Sequence, residues 1–168
     1  MKMTKRNNDS TLMTLTVDVS ISEDLTSEVP DSDDDVPEPE LIQTWAAAAY
    51  MNDVPAVVSV YIATAEEIQQ LNKQYRDKDK PTNVLSFPMQ SPEEIDVCLL
   101  GDIALCASVI KHEAKEQLKE EMTHWAHMVV HGMLHLQGYD HVEDDEAEKM
   151  EQQEVEILNQ LGFSNPYK

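Results

Sequence analysis

The chain has few cysteines and no long apolar stretch. Its two cysteines, Cys98 and Cys106, lack the Cys-x-x-Cys spacing of a thiolate metal site, so we expect reduced thiols packed as small apolar groups. The longest apolar run, 45–51, is too short to span a bilayer. The basic start at 1–8 has no apolar stretch after it, so we expect no secretory signal and a cytoplasmic protein.

Basic residues are also scarce: 12 Lys and Arg stand against 33 Asp and Glu, a formal net charge of −21. Taken as a whole, this charge argues against binding to nucleic acid. The acids are concentrated, however, with nine at 22–40 and eight at 143–156. Four basic residues fall within eight positions: Lys73, Arg76, Lys78 and Lys80. A local basic edge on a repelling body would bind RNA weakly and in a salt-sensitive way.

Three histidines at 131–141 have the spacing of a metal site, H-x3-H-x2-G-x2-H. On a helix, His131 and His135 lie on one face about one turn apart. Gly138 can adopt the left-handed conformation that ends a helix, which would return His141 to the same point. Three imidazoles leave a fourth tetrahedral position open, the pattern of a catalytic zinc.

Metzincin proteases share this spacing, with a glutamate general base after the first histidine. Gly132 occupies that position here and can neither accept a proton nor orient water, so the sequence argues against peptide hydrolysis. The general base is therefore open: metal hydroxide could act without one, or Asp102, His127 or Asp140 could assist. For Asp140 we favour a role in orienting a ligating histidine.

Other histidines share the helical stripe of the motif. His127 and His135 are about 12 Å apart along a straight helix, too far to bind one small ion together, so His141 is the better third ligand. His127 is either a residue that supports the site or faces substrate, or a satisfied buried histidine. We expect His112 and His124 at the surface.

Hydrophobic periodicity predicts an α+β fold in a single domain spanning 1–168, a small mixed β-sheet packed with helices. Alternation from Met13 to Ile21 predicts a first strand. The acidic connection at 22–40 has the composition of a disordered segment. We expect the remaining elements in this order: helix 41–51, strand 56–63, helix 65–75, strands 84–87 and 99–106, and helices 107–118, 121–137 and 143–161.

Three further segments make the histidine motif more specific. They are 71–88, which contains Tyr75-Arg76-Asp77-Lys78-Asp79-Lys80-Pro81-Thr82-Asn83, then Leu100-Gly101-Asp102-Ile103, then 125–130. With the motif, they make the chain, from about 41 to Pro166, resemble the YbeY family of metal-dependent endoribonucleases. The connection at 22–40 matches no motif of that family.

The resemblance implies a bacterial enzyme that cuts single-stranded RNA, matures the 3′ end of 16S ribosomal RNA and acts in ribosome biogenesis and quality control. It implies one zinc ion per chain, held by His131, His135 and His141, with Arg76 and His131 as catalytic residues. Lys78 and Lys80 either follow the RNA backbone or are solvated. The implied partners are ribosomal RNA, the small subunit or its proteins, and a GTPase or helper nuclease, with no membrane.

Two functions from different classes remain open at this stage. The first is an RNA-cutting metalloenzyme, which an open coordination position favours. The second is a ribosome-assembly factor with a mainly structural zinc, which the acidity favours because an acidic protein docks readily on basic ribosomal proteins. For the enzyme, either water or the 2′-hydroxyl of RNA could be the nucleophile.

Overall fold

The computed structural model describes residues 14–25, 36–90, 97–139 and 143–167. Within them lie four strands and five helices: β1 (Leu15–Ile21), α1 (Pro39–Ala49), β2 (Ala56–Ala63), α2 (Ala65–Arg76), β3 (Val84–Pro88), β4 (Cys98–Cys106), α3 (Ala107–Glu116), α4 (Glu121–Leu136) and α5 (Asp144–Gln160). Each predicted element is present, with ends that differ by a few residues at most. Met13, the first residue of the predicted first strand, lies outside the described residues.

The four strands form one mixed sheet in the order β1-β2-β4-β3. Strands β1, β2 and β4 run parallel, whereas β3 is antiparallel to β4 and forms an edge. A register shift falls in β4, where Val57 pairs with Leu99 but Val58 pairs with Gly101. A Cβ at Gly101 would lie 2.2 Å from the Phe87 carbonyl oxygen, so this bulge requires glycine. The predicted α+β fold with a mixed sheet is confirmed.

The larger core fills one face of the sheet. There α1 and α4 pack together and against the strands, and α4 crosses β3 and β4. Trp125, Met133 and Leu134 of α4 are fully or almost fully buried in this core. Helices α3 and α5 pack on the two flanks of α4. Most residues of α4 from His124 onward are therefore buried, and those that line the groove are partly exposed.

A smaller cluster lies on the other face of the sheet, under α2. It consists of Ala63, Ile68, Leu85, Ala104 and Cys106, all buried. Both cysteines are free, and Cys106 is packed here as a small apolar group, as the sequence predicted. Among the described residues, no helix combines the length and the apolar character that crossing a membrane requires.

The acidic connection predicted at 22–40 is described at its two ends. Ser22 is buried and donates from Oγ to Glu67 Oε2 at 3.0 Å. At the other end Pro39 already begins α1, so the last two residues of the predicted connection are helical. Residues 26–35 lie outside the described part of the chain.

Candidate metal centre and its groove

Helix α4 brings two of the predicted zinc-binding histidines together. His131 and His135 lie one turn apart, with ring centroids separated by 4.7 Å. Both rings line a cavity of about 740 Å³ between α4 and the edge strand β3. Two imidazoles this close on one helical face suit a single small ion, so these residues fit the implied zinc.

The C-terminal end of α4 has the left-handed turn that Gly138 predicted. Gly138 has a φ of 101°, its N–H donates to the His135 carbonyl at 3.1 Å, and the Tyr139 N–H donates to the Leu134 carbonyl at 3.0 Å. These two bonds form a Schellman motif, which reverses the chain at the helix end. Tyr139 thereby joins the cavity wall. The third predicted ligand, His141, follows two residues later and lies outside the described residues, as does Asp140.

Arg76 also lines this cavity. It is the last residue of α2, which ends because Asp77 adopts a left-handed conformation with a φ of 60°. The loop that follows is fixed by Asn72, which is buried and donates its side-chain amide to the Lys80 carbonyl at 2.9 Å. The structure therefore brings Arg76 and the two motif histidines to one groove.

The remaining wall of the groove comes from β3 and the residues before it: Thr82, Asn83, Val84, Ser86 and Pro88. The side-chain amide of Asn83 donates to both carboxylate oxygens of Glu113 in α3, at 3.0 and 3.2 Å. Glu113 is also 2.8 Å from Nε2 of His124 in α4. This chain of contacts holds Asn83 in a defined orientation at the groove.

His124 contradicts the surface position predicted for it, because only 3% of it is exposed. It lies on the flank of α4 that packs against α3, where the Glu113 carboxylate satisfies its Nε2. Burial lowers the pKa of His124, although the hydrogen bond and the charge of Glu113 oppose that change. His112, by contrast, is exposed as predicted, 3.5 Å from Glu116 one turn further along α3.

A second carboxylate contacts α4 from the neighbouring helix α5. Glu154 of α5 is fully buried. Its Oε2 lies 2.5 Å from His131 Nδ1, and its Oε1 lies 2.9 Å from His127 Nε2. The phenolic O–H of Tyr167 also donates to Oε1. His127 is therefore a buried histidine whose Nε2 contacts a carboxylate, and that carboxylate also contacts His131.

These contacts shift the pKa values of both acidic groups. Burial alone would raise the pKa of Glu154, but the hydrogen bonds from the rings of His127 and His131 lower it to about 2. Burial and the adjacent Glu154 carboxylate raise the pKa of Tyr167 above its ordinary value. The cluster therefore contains an ionised carboxylate and a protonated phenol.

The same cluster includes a group of residues that could hold a metal ion. His127, His131 and Glu154 each offer one ligand atom, and these atoms all lie within 4.8 Å of one another. The group shares His131 with the ligand set that the sequence predicts. One histidine thus connects the buried cluster to the open groove.

Gly132, which occupies the position of the metzincin base, packs closely against the sheet. A Cβ there would lie 3.1 Å from Cγ2 of Ile103 in β4 and 3.3 Å from Oγ of Ser86 in β3. Ser86 Oγ in turn donates to the Gly132 carbonyl at 3.3 Å. Glycine at this position therefore permits close packing of α4 on the sheet, and a longer side chain would meet the sheet instead of substrate.

Asp102, one of the residues considered as an assisting base, lies elsewhere. It lines a different cavity, of about 350 Å³, with the rings of Tyr75 and Phe87. Those rings meet edge to face, with centroids 5.2 Å apart. The structure therefore gives Asp102 no place beside the motif histidines.

The sequence analysis missed Glu113, Glu154 and Tyr167 as parts of the site. In the sequence Glu154 stands out only as one of the eight acids at 143–156. A signal for its burial was present, since Met150, Glu154, Ile157 and Leu158 recur at the spacing of one helical face and all four are buried. A lone acid within an apolar stripe indicates a buried, partnered carboxylate.

Comparisons with known proteins identify a family for this chain. The profile of the family described as "Endoribonuclease YbeY" matches residues 31–162. A protein of Idiomarina loihiensis named "Endoribonuclease YbeY" is 50% identical over 157 residues, which is 91% of each chain. A solution structure from Thermotoga maritima matches with a TM-score of 0.49 and 24% identity, covering 91% of this chain and 99% of that chain.

The family profile spans most of the chain and includes Arg76 and the complete histidine motif. The Idiomarina loihiensis relative extends the match over nearly the whole length of both proteins. The resemblance inferred from the sequence is therefore confirmed, and the chain belongs to the YbeY family of endoribonucleases, nucleases that act on the phosphodiester bonds of RNA.

Proposed function

We propose that this endoribonuclease is zinc-dependent, cuts single-stranded RNA and acts in 3′-end maturation of 16S ribosomal RNA, in ribosome biogenesis and in ribosome quality control. One observation supports the proposal most: Arg76, His131 and His135 line a single groove.

The proposed zinc ligands are His131, His135 and His141, one ion per chain. The first two rings are 4.7 Å apart, and the turn at Gly138 directs the chain back after α4. When bound, zinc would supply positive charge for a phosphate oxygen and lower the pKa of water toward neutrality. Because His131 would hold the ion beside the reacting phosphate, we count it with Arg76 among the catalytic residues.

Arg76, in the same groove, would bind the phosphate. Its guanidinium can donate two parallel hydrogen bonds to phosphate oxygens and would stabilise the extra negative charge of the transition state. Lys78 and Lys80 are exposed on the adjoining loop, where they would attract the RNA backbone in a salt-dependent way. Asn83, oriented by Glu113, can offer its side-chain carbonyl to a substrate hydroxyl or base amine.

The groove lining among the described residues includes neither aspartate nor glutamate, so a carboxylate general base there has no support from the structure. Two nucleophiles remain, water and the RNA 2′-hydroxyl, and the ends of the products distinguish them. A 2′,3′-cyclic phosphate would indicate attack by the 2′-hydroxyl. A 5′-phosphate with a 3′-hydroxyl would indicate attack by water.

The remaining parts of the proposal concern the cellular setting. We propose that the protein works in the cytoplasm on the small ribosomal subunit or its proteins, with a GTPase or helper nuclease as a further partner. Its net charge of −21 supports docking on basic ribosomal proteins more than on free RNA. The same charge favours the second candidate function, a ribosome-assembly factor in which zinc is mainly structural.

The test is cleavage of a single-stranded RNA that carries the 3′ end of small-subunit ribosomal RNA. Wild-type protein is assayed with and without chelator and after zinc is restored, beside His131→Ala purified in the same way. We expect cleavage that chelation abolishes, zinc restores and the variant lacks. Folded, zinc-loaded protein that leaves the RNA intact would contradict the enzyme proposal and support the assembly factor, for which binding to the small subunit is then measured.

A further inference from the structure

We infer that Glu154 is a positioning residue for the metal site: it accepts the proton of His131 Nδ1 and so presents Nε2 of that ring to the metal. The inference rests on the proposed function, in which His131, His135 and His141 hold zinc. Glu154 itself does not touch the ion or the substrate. Its effect passes through the ring of His131.

The position of Glu154 suits this role. The residue is fully buried on α5, the helix that packs along one flank of α4. Its Oε2 lies 2.5 Å from His131 Nδ1, a short hydrogen bond of the kind that forms when one partner is charged. The ring of His131 reaches in the other direction to the groove, which it lines with His135.

The hydrogen bonds around Glu154 can all be satisfied at once, with the carboxylate accepting each proton. His127 Nε2 lies 2.9 Å from Glu154 Oε1 and 3.2 Å from the Tyr167 oxygen, and Tyr167 donates its own proton to Oε1. Within the described residues Nδ1 of His127 is buried without a hydrogen-bond partner, which fits a neutral ring protonated at Nε2. Glu154 is therefore the common acceptor for His127, His131 and Tyr167.

This arrangement fixes the tautomer of His131. A neutral imidazole carries one proton, and a carboxylate beside Nδ1 holds that proton there. The opposite nitrogen, Nε2, then carries the lone pair that a metal needs. A carboxylate that accepts the other ring N–H also makes a ligating histidine more basic and limits rotation of its ring.

The distances argue against Glu154 as a direct ligand. Two ligands of one tetrahedral zinc are about 3.3 Å apart when each bond is ~2.0–2.1 Å. The carboxylate oxygens lie 2.5 Å from His131 Nδ1 and 2.9 Å from His127 Nε2, which are hydrogen-bond separations. In this structure the carboxylate therefore bonds to imidazole protons at the atoms that a buried metal would have to use.

Charge strengthens the argument. The hydrogen-bond partners found for Glu154 among the described residues are two imidazoles and a phenol, and no lysine or arginine is among them. A buried carboxylate without a cation is costly, because burial removes its solvation. A divalent ion beyond His131 would provide the missing positive charge. We therefore expect Glu154 to contribute more to metal affinity than to the stability of the metal-free protein.

The experiment measures zinc dissociation constants by competition with a chromophoric chelator. It compares full-length wild type with Glu154→Gln, which keeps the shape of the side chain without its charge, and Glu156→Gln, an exposed control on the same helix. We expect Glu154→Gln to bind zinc about 10- to 100-fold more weakly, the usual effect of losing such a partner, and Glu156→Gln to stay within about twofold. The thermal unfolding temperature of each metal-free protein is measured in parallel.

A folded Glu154→Gln protein with wild-type zinc affinity would overturn the inference, even if its metal-free form melts at a lower temperature. His135→Ala separates this failure from failure of the proposed function. If His135→Ala loses zinc while Glu154→Gln does not, only the role of Glu154 is wrong. If His135→Ala binds zinc as wild type does while Glu154→Gln binds none, zinc sits on His127, His131 and Glu154, and both proposals are wrong.

The tautomer can also be read directly, without a variant at Glu154. Long-range proton–nitrogen NMR of zinc-loaded protein labelled with 15N-histidine reports which ring nitrogen carries the proton, and the His131 signals are assigned by their absence from His131→Ala. We expect a protonated Nδ1 and a metal-bound Nε2. A protonated Nε2 with a metal-bound Nδ1 would overturn the inference.

Discussion

Helix α4 is flanked by two carboxylates that make similar contacts and do different things. On one flank Glu113 bonds to His124 and to Asn83, and on the other Glu154 bonds to His127, His131 and Tyr167. The side chain of Glu113 is 27% exposed, whereas that of Glu154 is 1% exposed.

The difference lies in what each carboxylate orients. Glu154 acts on His131, so its contacts reach the metal side of the groove. Glu113 acts on Asn83, so its contacts reach the β3 side. In both cases a residue from a neighbouring helix fixes a polar side chain whose conformation α4 or β3 alone would leave free. We therefore expect substitutions around Glu113 and around Glu154 to affect metal binding and catalysis differently.

The largest expected effect separates the histidines along α4. His135→Ala removes a proposed ligand, so zinc affinity should fall more than about a hundredfold, beyond the usual effect of losing an outer partner. His124→Gln should keep its zinc and lose about 1–3 kcal/mol of unfolding free energy, because the buried imidazole and its hydrogen bond to Glu113 are lost. Chelator competition and urea denaturation measure the two quantities. Loss of zinc in His124→Gln would show that the Glu113 flank also belongs to the metal site.

Arg76→Glu tests the proposed phosphate-binding residue of the groove, which neither Glu113 nor Glu154 contacts. We expect kcat/KM for RNA cleavage to fall about a hundredfold or more, since a charge that stabilises the transition state is replaced by one that repels it. Zinc binding should be unchanged, because Arg76 is not among the proposed ligands. Lys78→Glu makes the same charge change two residues away and should cost less than about tenfold, with a weaker dependence on salt. Equal losses in the two variants would mean that Arg76 contributes only general attraction.

The sequence predicted the strands, helices and turns that form this site better than the distant side chains that orient its residues. Alternation and helical periodicity located β2 at 56–63 with the ends that the structure gives, and Gly138 indicated the turn after α4. These features are local, so neighbouring residues reveal them. The partners of α4 are separated from it by 11 residues for Glu113–His124 and by 23 for Glu154–His131, and a single sequence does not show which distant residues meet.

Gly132 is another residue whose tertiary contacts the sequence does not reveal. The sequence indicates correctly that Gly132 cannot act as a base. It does not give the reason for glycine there, which is the contact of α4 with Ile103 and Ser86 of the sheet. Similarly, His124 reads as a surface residue on the helical stripe because its burial depends on α3, whose placement against α4 is a matter of tertiary packing.

A smaller effect is expected for Glu113→Gln, which removes the charge from the contact with Asn83 and leaves one amide oxygen to accept, while keeping the size of the side chain. Zinc affinity should stay within about twofold of wild type, in contrast to Glu154→Gln. The cleavage rate should fall about three- to tenfold, in proportion to one weakened hydrogen bond worth about 1 kcal/mol. Single-turnover kinetics with zinc-saturated enzyme measures the rate. A loss of zinc equal to that of Glu154→Gln would remove the distinction between the two flanks.

The smallest expected effect is a pH dependence that belongs to the Glu113 flank. Burial lowers the pKa of His124, so the unfolded chain takes up this proton at a higher pH than the folded protein does. The stability due to neutral His124 is therefore complete above the unfolded pKa of about 6.5 and declines as the pH falls below it, by no more than about 1.4 kcal/mol per pH unit for one proton. Urea denaturation of metal-free wild type and His124→Gln between pH 8 and pH 5 isolates this contribution, because the two proteins differ only at residue 124. Wild type should lose its advantage toward pH 5, and a difference that is constant with pH would show that His124 titrates alike in the folded and unfolded states.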